Sequence, residues 1–293
     1  MASYYEPSGK VSALSYLLLA LSIFIIFPLL GLAYTYAIWY IPIIYVNVLV
    51  TIGFGIAAGF VIKHVILYYG KVRNPKAAVL IGILASLVLY YVSWAIYADL
   101  NLNITDTIGG DRFGVAVSNV NVDETIGLAL HPSRVFSIMG LLYKWGSWGI
   151  FGFTMSGFML AIIWIAEFLI IMILAVTTSY EISKRPFCEL SNSWFKENKV
   201  GPFVYVLDRP ALVNDLESSS RNTFDNLEFT QNDQRDHTMF KLYDNGQGKA
   251  YLTAESHKAR MNDGKLEFDI SPFVERIEIT EDMKQSLLSK MNA

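Results

Sequence analysis

The sequence predicts a polytopic α-helical membrane protein: four transmembrane helices followed by a C-terminal cytoplasmic α+β domain containing an antiparallel meander. Three observations predict it. Long apolar runs with almost no charge fill the chain as far as Lys184. The run Met155–Thr178 is long enough to cross a bilayer as a helix and holds one charged residue, Glu167. Beyond Lys184, apolar and polar residues alternate between Gly- and Asn-rich turns. Over the whole 293-residue chain only 17% of residues are charged, against about 25% in a soluble average, and the deficit falls before the break at Thr178–Lys184. The sequence therefore divides into a membrane domain, 1–184, and a tail domain, 185–293.

The opening Tyr4-Tyr-Glu-Pro-Ser-Gly-Lys10 is polar and turn-like. Val11 to Ile62 contains no charge, about twice the ~20 residues that one spanning helix needs. It reads as two helices, 11–38 and 42–62. The break falls at Trp39-Tyr-Ile-Pro42, because proline disfavours helix at the residue before it and aromatic residues favour the membrane interface. The run is too long for a cleavable signal, so it is expected to stay as an anchor. Pro28 is expected to kink the first helix. Gly55 and Gly59 form a GxxxG for close helix packing, either within the chain or between copies. Lys63 and His64 end the second helix at the interface, where such side chains snorkel.

Lys71, Arg73 and Lys76 then precede a third span, 77–98. The connection 99–148 is long and acidic, with Asp106, Asp111, Asp123 and Glu124. Their spacing matches no EF-hand loop. Within it, 133–144 reads as an amphipathic interfacial helix with Ser133 as N-cap, and Trp145 and Trp148 suit the interface. Asn103-Ile-Thr105 is a formal glycosylation sequon. The fourth span is 155–178. Lys and Arg beside the second connection and at Lys184-Arg185 place those ends, and both termini, in the cytoplasm.

The tail reads as a strand at 203–207, a helix at 209–217, strands at 237–243 and 249–257, two further strands at 265–270 and 273–279, and a closing helix at 280–290 capped by Thr280. His237 and His257 approach across the first hairpin without a third metal ligand. Cys188 is the only cysteine, which excludes an intrachain disulfide and a cysteine zinc site. Position 191 is Ser, so no CxxC exists. P-loop, GxGxxG, HExxH and GxSxG motifs are absent. No catalytic residue, metal or cofactor is expected.

Glu167 is the sharpest single residue. An ionised side chain at mid-bilayer costs ~2.5–3.5 kcal/mol on insertion scales and marks a functional site by default. No Lys or Arg lies at its depth. Its candidate partners are Asn47, Thr51 and Tyr90, with Tyr34, Tyr36, Ser86 and Ser93 behind them. One reading is a proton or cation relay; the other is a hydrogen-bonding strut between helices or to a partner subunit.

Tyr5-Glu-Pro-Ser-Gly-Lys10, Trp39-Tyr-Ile-Pro42, Gly70-Lys-Val-Arg-Asn-Pro75, His131-Pro132, Trp164-Ile-Ala-Glu167 and Pro186-Phe-Cys188 resemble segments of a group of uncharacterised bacterial four-span inner-membrane proteins. The resemblance covers the membrane part only. It implies an inner-membrane location and four spans, and no chemistry.

The reading that follows is a non-enzymatic membrane scaffold or assembly protein presenting a cytoplasmic interaction domain. Its expected partners are membrane lipid and either a protein partner or further copies of itself; a net charge of −3 gives no case for nucleic acid. The alternative is a proton- or cation-coupled channel or transport subunit using Glu167. A third is a lipid-modifying enzyme with His131, Asp123 and Glu124 at the outer surface.

Overall fold

The computed structural model describes residues 3–41, 43–108, 115–150, 153–220, 222–231, 234–246 and 248–290. The chain divides into two units, Gly9–Lys184 and Arg185–Ala293, with Met1–Ser8 belonging to the second.

Four helices of the first unit are long and apolar enough to cross a membrane: α1 (Ala13–Tyr40), α2 (Tyr45–Tyr69), α3 (Pro75–Leu102) and, later in the chain, α6 (Gly157–Ser183). The last three are longer than their sequence patterns suggested, and α1 keeps its expected length two residues further along the chain. Ser12 starts α1 by accepting from the Leu14 N–H. Pro28 offers no N–H to the turn before it. Just upstream the helix widens into a π turn, Ser22–Ile26, closed by the Phe27 N–H on the Ser22 carbonyl; the helix absorbs the proline and continues. The hairpin residue Pro42 lies outside the described residues.

The helix of α2 does not stop at Ile62. It runs on through a π-wound segment, Ile62–Tyr69, because Ile62, Ile66 and Leu67 are all buried. Lys63 and His64 therefore lie inside the helix. The start of α3 is set by Asn74, whose side chain accepts from the Ala77 N–H, with Pro75 in the first turn. These are helix-start residues that the hydropathy pattern alone placed in the connection. At the other end Ala98, Asp99 and Leu100 are buried and helical, so Asp99 closes the span instead of opening a loop.

Between α3 and α6 lie the hairpin β1 (Ile104–Ile108) and β2 (Val115–Ser118), the helices α4 (Val122–Leu130) and α5 (Pro132–Trp145), and the short pair β3 (Trp148–Ile150) and β4 (Phe153–Met155). The helix α4 was not anticipated. Asn121 caps it on the Glu124 N–H, and Asp123 and Glu124 stand in its first turn, where acids favour the helix dipole. His131, not Ser133, is the N-cap of α5, with Pro132 in its first turn. The two helices meet at a 100° bend.

Small residues let α6 approach both α2 and α3. A Cβ on Gly55 would meet Leu174 Cδ1 at 2.8 Å, one on Gly59 the Thr178 Oγ1 at 3.0 Å, and one on Gly82 the Ser179 Oγ at 2.9 Å. The core of this unit is Phe27, Phe54, Ile62, Leu89 and Ile171 with their neighbours.

In the second unit β5 (Phe187–Cys188) pairs with β6 (Ser193–Trp194). A four-stranded antiparallel sheet follows, ordered β10-β9-β8-β7, from β7 (Lys196–Val204), β8 (His237–Asp244), β9 (Ala250–Asn262) and β10 (Lys265–Ile279). The strand expected at 203–207 lies earlier in the chain, because the polar residues 196–199 pair through their backbones with β8. The two last expected strands are one. Pro272 sits at a register shift within β10, a place where an edge strand accepts proline. The helices α7 (Arg209–Glu217) and α8 (Glu281–Ser289) bury Leu212, Leu216, Met283 and Leu287 against Phe240, Leu252 and Ile277, and so cover one face of the sheet.

The N-terminal segment, grouped with the membrane part by sequence, joins this unit by backbone pairing at residues 3–5. Tyr4 bridges Ile277. The Tyr5 N–H donates to the Arg276 carbonyl at 2.9 Å, and the Glu278 N–H to the Ser3 carbonyl at 2.7 Å. The Tyr4 hydroxyl donates to Glu217 at 2.8 Å. Nothing in the hydropathy of 1–8 announces this, because strand addition is made by backbone groups.

Candidate functional site

Two places in the molecule carry features beyond packing. The first is the polar cluster among the spans. Tyr90 of α3 reaches α6, donating to the Trp164 carbonyl at 2.9 Å, with Glu167 Oε2 at 3.4 Å. On the facing side the Tyr34 hydroxyl of α1 and Thr51 Oγ1 of α2 are 3.2 Å apart. Thr51 Oγ1 also donates to the Asn47 carbonyl at 2.9 Å. The Tyr34 ring stacks on Phe54 at 4.2 Å, which fixes the position of its hydroxyl. Each of the four spans thus contributes one polar side chain or more. Asn47 Oδ1 is buried without a hydrogen-bond partner among the described residues.

The other sequence candidates do not join the cluster. Ser86 and Ser93 spend their hydroxyls on carbonyls of their own helix, at Ile83 and Leu89. Tyr36 accepts from the Val120 N–H at 3.0 Å. Gly55 and Gly59 are occupied by α6. His64 packs between the rings of Phe60, at 4.5 Å, and Tyr68, at 6.3 Å. Trp145 is 71% exposed with Lys144 Nζ 5.1 Å above its ring. Trp148 lies in β3, and its side chain is outside the described residues, as are Asp111 and Arg112.

The acidic residues between α3 and α6 do not converge either. Glu124 accepts from Asn103, which also donates to Asp99. Asp99 accepts from the Asn121 N–H at 2.9 Å and so pins the start of α4. His131 Nδ1 lies 2.7 Å from the Gly127 carbonyl. Among the described residues no group of three or more His, Cys, Asp or Glu is arranged to hold a metal.

The second place is the far half of the β9–β10 ribbon. Beyond the point where β8 ends opposite His257, residues 258–262 and 265–269 pair with each other and, among the described residues, with no other strand. Strand alternation puts Ala259, Met261, Leu266, Phe268 and Ile270 on one face. Met261 is 67% exposed and Ile270 56%. Lys258, Arg260, Lys265, Glu267 and Asp269 line the other face. Along β10 the edge is taken at 276–278 by the N-terminal segment; among the described residues no strand pairs with the edge at 265–271.

At the base of the ribbon His237 and His257 are register partners with ring centroids 4.8 Å apart. Phe268 packs on the His237 ring at 5.0 Å. Glu255 lies 3.6 Å from His257 Nε2 and is bridged by Lys241. Burial, and then the neighbouring His237, push the His257 imidazole below the usual histidine range.

No family model, curated protein or solved structure matches the chain.

Proposed function

We propose that this is a non-enzymatic membrane scaffold whose four helices anchor a sheet module that captures an extended segment of a partner protein along the open half of β10. The carrying observation is that β10 already accepts an added strand. Ser3–Tyr5 pair with Arg276–Glu278 through backbone hydrogen bonds of 2.7–2.9 Å, while the continuation of the same edge has no strand beside it among the described residues. Open edges are templates for pairing, main-chain bonds give such contacts affinity, and side chains on alternate positions give specificity. Leu266 and Ile270 occupy those positions.

The bilayer in this reading is the bacterial cytoplasmic membrane. The pairing of residues 3–5 with 276–278 supports both termini on one side, in keeping with an even number of spans. Lys63, Lys71, Arg73, Lys76, Lys184 and Arg185 favour the cytoplasm for that side.

The test is quantitative. Tagged full-length protein is purified from its own host in mild detergent, alongside a Leu266→Glu/Ile270→Glu form. A stoichiometric partner that the variant loses supports the reading. Equal recovery with both forms removes the ribbon from it.

A second reading has its own observation. The orphaned Asn47 Oδ1 lies one turn from Thr51, in a cluster to which all four spans contribute. An acid among hydroxyls inside a membrane is the composition of a proton or cation relay. Proton flux into liposomes that is lost in Glu167→Gln would make this the function.

A further inference from the structure

We propose that a lateral cleft between α3, α5 and α6 holds one hydrocarbon chain of a membrane lipid. The cleft has a volume of about 360 Å³ and is lined by ten side chains, among them Tyr90, Trp94, Phe136, Met139, Trp164 and Phe168. That volume lies in the range of pockets that enclose a small molecule.

Three features set the class of occupant. First, the wall of the cleft is almost wholly apolar. Its hydroxyls are already engaged: Tyr90 donates to the Trp164 carbonyl, and Tyr91 to the Ala129 carbonyl at 2.9 Å. A polar ligand would find its own groups unsatisfied there, at a cost that an apolar chain avoids.

Second, the cleft is lined by residues part-way along two spans, Leu87–Trp94 of α3 and Ala161–Phe168 of α6. Its rim residues Leu87, Ile165 and Phe136 are exposed, while Trp94 on its floor is 7% exposed. From Leu87 to Trp94 it covers about 10 Å of helix at 1.5 Å per residue, roughly a third of a ~30 Å hydrocarbon core. An opening at that depth faces lipid tails.

Third, the walls are braced, so the space does not close. Trp94 and Trp164 meet edge to face at 4.7 Å, and the tilted rings of Tyr90 and Phe168 pack at 5.5 Å. The Tyr91 bond fixes the end of α4, and the 100° bend after it holds α5 at the mouth. A helix of a second copy is a poorer occupant. The close-approach glycines Gly55 and Gly59 are spent on α6, and an α-helix with side chains is about 10–12 Å wide.

The experiment uses the full chain in vesicles of phosphatidylcholine with one dibromostearoyl chain, and in unbrominated vesicles as reference. Bromine quenches tryptophan on contact. The Trp94 signal is the difference between wild type and Trp94→Phe. Because Trp94 is on the floor, its quenching requires a chain inside the cleft. Ala161→Phe fills the space from α6, and Leu87→Phe, at an exposed rim position, fills it with less risk to folding; melting temperatures verify both. The expected result is Trp94 emission strongly reduced by brominated lipid in wild type, with most of that quenching lost in the folded filled variants. Native mass in mild detergent then shows a bound lipid on wild type that the variants lack, and its mass distinguishes a phospholipid from a prenyl lipid. Unquenched Trp94 in wild type, undiminished quenching in either folded variant, or a lipid-free dimer formed through this face overturns the proposal.

Discussion

The Tyr90 hydroxyl stands 3.4 Å from the Glu167 carboxyl and is engaged more closely, at 2.9 Å, by the Trp164 carbonyl one turn earlier on the same helix. Tyr90 thereby ties α3 to α6 whether or not Glu167 carries a charge. In the scaffold account Glu167→Gln keeps the melting temperature in detergent, because an amide preserves a hydrogen-bonding group at that position. Tyr90→Phe removes the tie and lowers stability by roughly 0.6 kcal/mol, the average for such bonds between membrane helices. A large loss from Glu167→Gln with none from Tyr90→Phe would assign the strut to the wrong residue.

Close approach of α2 and α6 depends on Gly55 and Gly59. A leucine at either position must displace Leu174 or Thr178, so each variant is expected to lose about 1–3 kcal/mol by overpacking. Gly53 lies two residues before the first of them, on another face of the helix, with nothing within 4 Å of an added Cβ. Gly53→Leu should melt with wild type. The three detergent melts are read side by side.

The N-terminal strand makes acid stability measurable. The Ser3 hydroxyl, aided by Lys249, holds the Glu278 carboxyl below the usual carboxylate range. The folded state therefore binds fewer protons than the unfolded one. The stabilisation is complete above an ordinary glutamate pKa of about 4.3 and is lost as pH falls through the lower folded value. Ser3→Ala should be less stable than wild type at pH 7, and the two should converge in strong acid. A difference that grows on acidification would contradict this.

The histidine pair predicts an acid response at higher pH. With the His257 imidazole pushed below its usual range by burial and by His237, the folded state again holds fewer protons. That contribution is present above about pH 6.5 and declines below it. His257→Gln should flatten the change in melting temperature between pH 7 and pH 5. An unchanged profile would mean that other groups set it.

Much of the fold was legible from hydropathy alone. Four long apolar runs can only be spans or buried helices, and the tail's turns at Asn262-Asp-Gly264 and 244–248 separate period-2 runs. Span ends were less legible, because Asn74, Asp99 and Lys63 look like loop residues until caps and burial are known. The helix α4 was hidden by Asp123 and Glu124, whose charge reads as loop although both suit a first helical turn. Glu167, Tyr90, Thr51 and Asn47 stood out as polar residues in apolar runs. The Trp164 carbonyl, the pairing of Ser3–Tyr5 with β10 and the open edge beyond it did not, since backbone groups carry no residue signature. The alternation at 265–270 was the one visible trace of the ribbon's apolar face.

The most direct test of the central claim is recovery of partners on wild type against Leu266→Glu/Ile270→Glu. Full-length protein is purified from its own host in mild detergent, with partner stoichiometry read by mass spectrometry and folding verified by melting. The scaffold account predicts a partner near one per chain on wild type that falls at least tenfold on the folded variant, a loss of about 1.4 kcal/mol or more. The same partner at the same stoichiometry on both forms, or none on wild type, contradicts it.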